Sequence, residues 1–328
     1  MEVASVWDGW IEDDSGIVGT VQVKVGKATA KKPAKVTASV VLKDSTKKLS
    51  FKGEMAADAT EATLKCAGQG DMSLSFGERA LAGAWNGGSV IGGRNLFSSK
   101  DKAEAKSAND VLALWKKPVN AAWDGGTLSV SIAAKGKAKV SAVLADGTKA
   151  TANGQFVIGE DWCAVPVVVN KKAKLGFIVW LSQDGKEATA EGLGDGVEIG
   201  MPAPGANLAF TLGGGIDGIE GLQAALLPAK GYAFEGGSKW KFKKADTVKL
   251  NAQKTAAEVT KDNGNPSGLK LTYKPKDGSF KGKLTVYAVE GGKLKKYSAN
   301  VTGVMVGAKG YGTATVKKPA ATAAVTIE

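Results

Sequence analysis

The chain has 328 residues, enough for two or three domains that each bury an apolar core. It contains no histidine, which excludes Ser-His and Cys-His nucleophiles, the His-containing zinc sets and the usual near-neutral acid-base group. The net charge is +12, yet only Arg79 and Arg94 among the 44 basic residues are arginine. The planar fork that reads phosphates and base edges is therefore nearly missing, and nucleic acid is not the expected partner. Lysine at this density suits strand edges, where charge blocks edge-to-edge pairing. A glycan or other acidic cell-surface polymer is the partner class it leaves open.

The predicted elements are short strands punctuated by Gly turns such as Asn86-Gly87-Gly88, Asp124-Gly125-Gly126 and Gly291-Gly292. Trp7-Asp8-Gly9 precedes the acidic turn Glu12-Asp13-Asp14-Ser15-Gly16 and the alternating strand Val21, Val23, Val25. Lys35-Val36 then leads through Val40-Val41-Leu42 into a polar turn, Gly53 and the strand Met72, Leu74, Phe76. Ser107 to Lys117, with a polar cap and Pro118 as a stop, reads as a short linking helix.

The pattern then recurs. Trp123-Asp124-Gly125 precedes Leu128, Val130 and Ile132; Lys139-Val140 leads to Val143-Leu144 and the turn at Asp146-Gly147; Gly154 takes the place of Gly53; and Leu175, Phe177, Val179 close the copy. Gly213 to Gly218 fits GxGxxG with Glu235 downstream, but no repeating βαβ units flank it, so it reads as a glycine hinge before a second helix candidate at Ile219 to Leu227, ended by Pro228. A third, diverged copy begins at Gly268 and alternates through Leu269 to Tyr273, Phe280 to Tyr287, Lys296 to Val301 and Gly312 to Val316. The expected architecture is all-β: tandem antiparallel repeats of about six strands, built as small sandwiches or semi-closed barrels with one or two short linking helices. The expected divisions are 1–105, a helical linker at 106–118, 119–212, a hinge and connecting segment at 213–267, and 268–328.

Several strings resemble an uncharacterised family of Gly/Lys-rich β-repeat regions near the C-termini of large exported proteins of Verrucomicrobia- and Lentisphaerae-type bacteria. They are Gly126 to Val130 with Lys135-Gly136-Lys137, Leu144 to Lys149, Gly159 to Pro166, Leu269 to Tyr287, and Gly310 to Lys318. The resemblance covers most of residues 19–328 and implies β-repeat architecture and a secreted or cell-surface location, with no activity to transfer. The opening Met1 to Ser5 lacks the apolar core of a signal peptide, so the chain is expected to be cut from a larger precursor.

Candidate sites are few. Asp13, Asp14 and Asp262 lie in oxygen-rich turns of the kind calcium uses, without EF-hand spacing, and no other cofactor is indicated. Cys66 and Cys163, lacking CxxC neighbours, are either buried thiols or one disulfide. The recurrence of Trp7 as Trp123 favours core packing for that pair, which leaves Trp10 and Trp240 as expected surface platforms for a sugar. The expected function is a non-catalytic structural or adhesive module, with carbohydrate binding through loop aromatics as the alternative and a carboxylate-dependent glycosidase as the second. Oligomeric state is left open.

Overall fold

A computed structural model describes residues 4–29, 31–205, 207–212, 229–232, 240–318 and 320–328. The second helix candidate, the GxGxxG segment and Glu235 lie outside the described residues. The described chain is all-β in class, with strands joined by turns and one α-helix, as the turn chemistry and alternation predict.

The first eight strands are β1 (Ser5–Asp13), β2 (Gly16–Val25), β3 (Ala34–Leu42), β4 (Lys48–Met55), β5 (Glu61–Leu64), β6 (Met72–Phe76), β7 (Ala80–Trp85) and β8 (Gly88–Arg94). They form one antiparallel sheet ordered β4-β3-β2-β1-β8-β7-β6-β5. Paired backbone hydrogen bonds between Lys52 and Lys65, both 2.9 Å, join its two end strands and close a barrel. Its interior is filled by alternating side chains, among them Trp7, Val21, Val23, Val36, Phe51, Leu64, Met72 and Trp85. The β7–β8 hairpin turns on Asn86 and Gly87, both at positive φ (49° and 81°), the twist-matched two-residue turn that the Asn-Gly dipeptide favours.

The helix α1 (Lys102–Leu114) starts about a turn earlier than expected, because Asp101 rather than Ser107 caps it by accepting from the backbone N–H groups of Ala103 and Glu104. The next strands are β9 (Val119–Trp123), β10 (Gly126–Ile132), β11 (Lys137–Leu144), β12 (Lys149–Gln155), β13 (Val157–Ile158), β14 (Cys163–Val169), β15 (Leu175–Leu181), β16 (Ala188–Glu191) and β17 (Glu198–Gly200). Their sheet runs β16-β15-β14-β12-β11-β10-β9-β17, with β13 on β14. Every residue of β14 is buried, matching its continuous apolar run, Pro166 included.

The last group is β18 (Asn207–Leu212), β19 (Ala229–Tyr232), β20 (Lys241–Phe242), β21 (Thr247–Leu250), β22 (Ala257–Lys261), β23 (Lys270–Lys274), β24 (Ser279–Glu290), β25 (Lys293–Val306), β26 (Lys309–Val316) and β27 (Ala321–Ile327). Eight of these form a sheet ordered β20-β19-β18-β27-β26-β25-β24-β23, whose end strands approach each other, and β21 pairs with β22 as a separate ribbon. Strand β18, expected at the end of the second repeat, instead pairs with β27. Copies of about six strands thus become larger sheets, since neighbouring segments supply edge partners.

By packing, the chain forms two compact units. One comprises 1–116, 130–141 and 150–194; the other comprises 117–129, 142–149 and 195–328.

Candidate functional site

The aromatic side chains expected at the surface are core residues. Trp10 is 1% exposed and sits edge-to-face against Trp162 and Trp180, with centroids 5.6 and 5.5 Å away. Its indole N–H donates to Glu12 (2.9 Å). Alternation explains the burial: Trp7, Gly9 and Ile11 face the barrel interior, while Trp10 on the opposite face meets Ile17, Ala164, Val168 and Ile178. Trp240 is 5% exposed and stacks on Tyr273 at 4.9 Å. Neither ring is free to carry a sugar.

The expected Trp7–Trp123 equivalence also fails. Trp7 lies mid-strand in the barrel core against Phe76, whereas Trp123 ends β9 at a turn and is only half-buried. The Trp-Asp-Gly string recurs, but its two copies occupy different places on their hairpins.

The acidic turns serve their own backbones. Asp13 accepts from the N–H and hydroxyl of Ser15, which holds its carboxyl below the usual range, and Asp262 accepts from the N–H of Gly264. Asp14 is exposed beside Asp13. Among the described residues, no three acidic, Cys or His side chains converge as metal ligands. Both cysteines are free thiols, Cys163 buried and Cys66 half-buried, so of the two alternatives open for the pair it is the unbridged one that the structure holds. Burial pushes the Cys163 thiol up to about 12, far from a nucleophilic thiolate.

The residues that do form an open cleft come from β9–β10, β17, β26 and β27. The cleft encloses about 340 Å³ and is lined by Trp123, Asp124, Thr127, Glu198, Tyr311, Thr313, Thr322, Thr326 and small residues including Ala324. Antiparallel register sets one wall: Tyr311 pairs with Thr326, Thr313 with Ala324, and Thr315 with Thr322, so the threonine side chains of neighbouring strands point the same way. Ala324 leaves a shallow place between them.

The other wall is the β9–β10 hairpin. Asn120 is fully buried and donates through Nδ2 to the carbonyls of Asp277 (3.2 Å) and Met305 (2.8 Å), tying β9 down. At the tip, the Trp123 indole folds over Gly125 so closely that a Cβ there would lie 2.3 Å from Nε1; only glycine permits that ring position. Tyr311 packs against Ala122, Val304 and Val306. Burial raises its hydroxyl pKa, and a hydrogen bond to Glu198 raises it further, so the phenol stays protonated. Glu198 also meets Lys309 at 3.8 Å.

The sequence places Trp123 in the core and gives Tyr311 no role beyond its place in the Gly310 to Lys318 string, just ahead of the strand expected at Gly312 to Val316. The available signal was the run of outward threonines alternating with apolar residues on β26 and β27, which marks a wet face dense in hydroxyls.

No family model and no curated protein matches the chain. Among solved structures it is similar to intact Ap-TbpB with its N and C lobes, at 12% identity, over 100% of this chain and 77% of that one, with a TM-score of 0.26. A likeness that distant carries neither fold nor role across. No helix among the described residues is long and apolar enough to cross a membrane, which says nothing of strands.

Proposed function

We propose that the chain is a non-catalytic adhesive module of an exported or cell-surface protein, and that the Trp123–Tyr311 cleft holds a carbohydrate. The supporting observation is that two aromatic side chains, four threonines and two carboxylates share one open cleft. Sugars offer C–H faces to aromatic rings and hydroxyls to oxygen acceptors, so a site for them needs both kinds of group close together. Hydrolysis is the weaker alternative. A glycosidase needs one carboxylic acid kept protonated by burial, and Asp124 and Glu198 are both exposed.

The test is a glycan array followed by calorimetry on the best binders, using wild type, Trp123→Ala and Tyr311→Phe. Trp123→Ala should weaken binding about tenfold or more, the loss expected when an aromatic contact is removed. Tyr311→Phe should weaken it less, because only the hydroxyl is lost. The bound oligosaccharide should be recovered uncleaved. An array without binders, or affinities indifferent to both substitutions, would overturn the proposal.

A further inference from the structure

Two threonines of the cleft, Thr313 and Thr322, belong to longer rows that cross the outer face of the last sheet. Directly paired residues of antiparallel strands share a face. The register therefore carries one row from Thr322 through Thr315 and Asn300 to Lys283 and Lys270. A second row runs from Ala324 and Thr313 through Thr302 to Lys281 and Thr272. The alternate residues Leu271, Leu284, Val301, Ala314, Val316 and Ala323 enter the core, so both rows face outward.

Across five adjacent strands, at about 4.8 Å per strand, the rows extend roughly 19 Å from the cleft. The first row begins in hydroxyls and ends in two lysines, the second carries Lys281 between Thr302 and Thr272, and neither contains an acidic residue. Lys270, Lys281 and Lys283 are exposed, and among the described residues none of them takes part in an ion pair. Lys270 lies directly opposite Lys283, a like-charge juxtaposition that is unfavourable unless an anion sits between the two ammonium groups.

We infer that the ligand is an acidic polysaccharide that leaves the cleft along these rows, with its carboxylates or sulfates on Lys270, Lys281 and Lys283 and its hydroxyls on Thr302, Asn300 and Thr315. The inference rests on the carbohydrate cleft proposed above and adds the charge and direction of the chain. Nucleic acid fits less well, because a backbone with a phosphate on every residue would bring negative charge against Asp124 and Glu198 at the cleft end of the rows. A polysaccharide can place neutral rings and hydroxyls there and its acidic groups farther out.

Binding of polygalacturonate and dextran sulfate should be compared with methyl-esterified pectin, dextran and duplex DNA at low and high NaCl. The variants are Trp123→Ala, the triple Lys270→Gln/Lys281→Gln/Lys283→Gln, and a charge-matched control, Lys31→Gln/Lys32→Gln/Lys35→Gln, whose lysines are exposed on the first barrel. Wild type should bind at least one acidic polymer more tightly than its neutral counterpart, with affinity falling as salt rises. The triple variant should lose about tenfold or more toward that polymer, as expected for several charge-assisted contacts, while the control keeps it. Equal loss in the triple and control variants would reduce the effect to net charge and overturn the inference. So would binding of DNA as tight as that of the acidic glycan and lost in the triple variant. Neutral glycans held through Trp123, with no preference for acidic ones, would overturn only this extension and leave the cleft proposal standing. Failure of every glycan would remove both.

Discussion

Asp8 is 4% exposed on β1, where its carboxylate accepts hydrogen bonds from the amides of Gln22 (2.8 Å) and Asn95 (2.7 Å). Desolvation by burial outweighs those bonds and raises its pKa above the ordinary 3.8. The folded protein therefore retains this proton at a pH where the unfolded chain has released it. Its contribution to stability grows as pH falls through the raised pKa toward 3.8, and is lost as pH rises above it. Urea unfolding between neutral pH and about 4 should show this gain in wild type, and the Asp8 part of the slope should be missing in Asp8→Asn. Identical slopes would refute it. Asp8→Ala should cost about 1–3 kcal/mol near pH 4, because it strands two amide donors next to the core, and less at neutral pH, where the Asp8 contribution has fallen.

At the scale of the element, glycine decides where strands can meet. A Cβ on Gly53 would lie 2.5 Å from the carbonyl oxygen of Thr63, beside the Lys52–Lys65 pair that closes the first barrel. Gly53→Ala should therefore cost about 1–3 kcal/mol by forcing β4 from β5. Hydrogen exchange at the Lys52 and Lys65 amides should speed up while exchange in β24–β25 stays unchanged; protected seam amides would contradict this. Gly154, matched to Gly53 from sequence, also faces a close backbone, 2.8 Å from the carbonyl of Pro166. The all-β class was legible because alternation and Asn-Gly or Gly-Gly turns are local signals. The Trp7–Trp123 match misled because a three-residue string carries no register, and one strand position separates a core ring from a surface one. The cleft was hidden because it joins residues 122–127 to 311–326, a proximity set by long-range pairing that no local pattern encodes.

For the whole molecule, the excess of lysine sets a tension between stability and binding. The chain carries +12, yet only four ion pairs occur among the described residues, three of them on exposed or largely exposed side chains. Surface pairs of that kind contribute little, so the folded state retains most of its self-repulsion. Added NaCl should screen it, raising the Tm by about 2–5 °C between roughly 20 and 500 mM. A flat or falling Tm would mean that the charge is already balanced in the fold. Salt should therefore act in opposite directions on the two properties, strengthening the fold while weakening any contact with an acidic ligand. The Lys270→Gln/Lys281→Gln/Lys283→Gln variant separates the two. It removes the directly opposed Lys270 and Lys283, so its Tm should exceed that of wild type at low salt and converge with it at high salt. A variant that is more stable alone but weaker toward the acidic polymer would place these lysines among residues kept for binding at a cost to the fold.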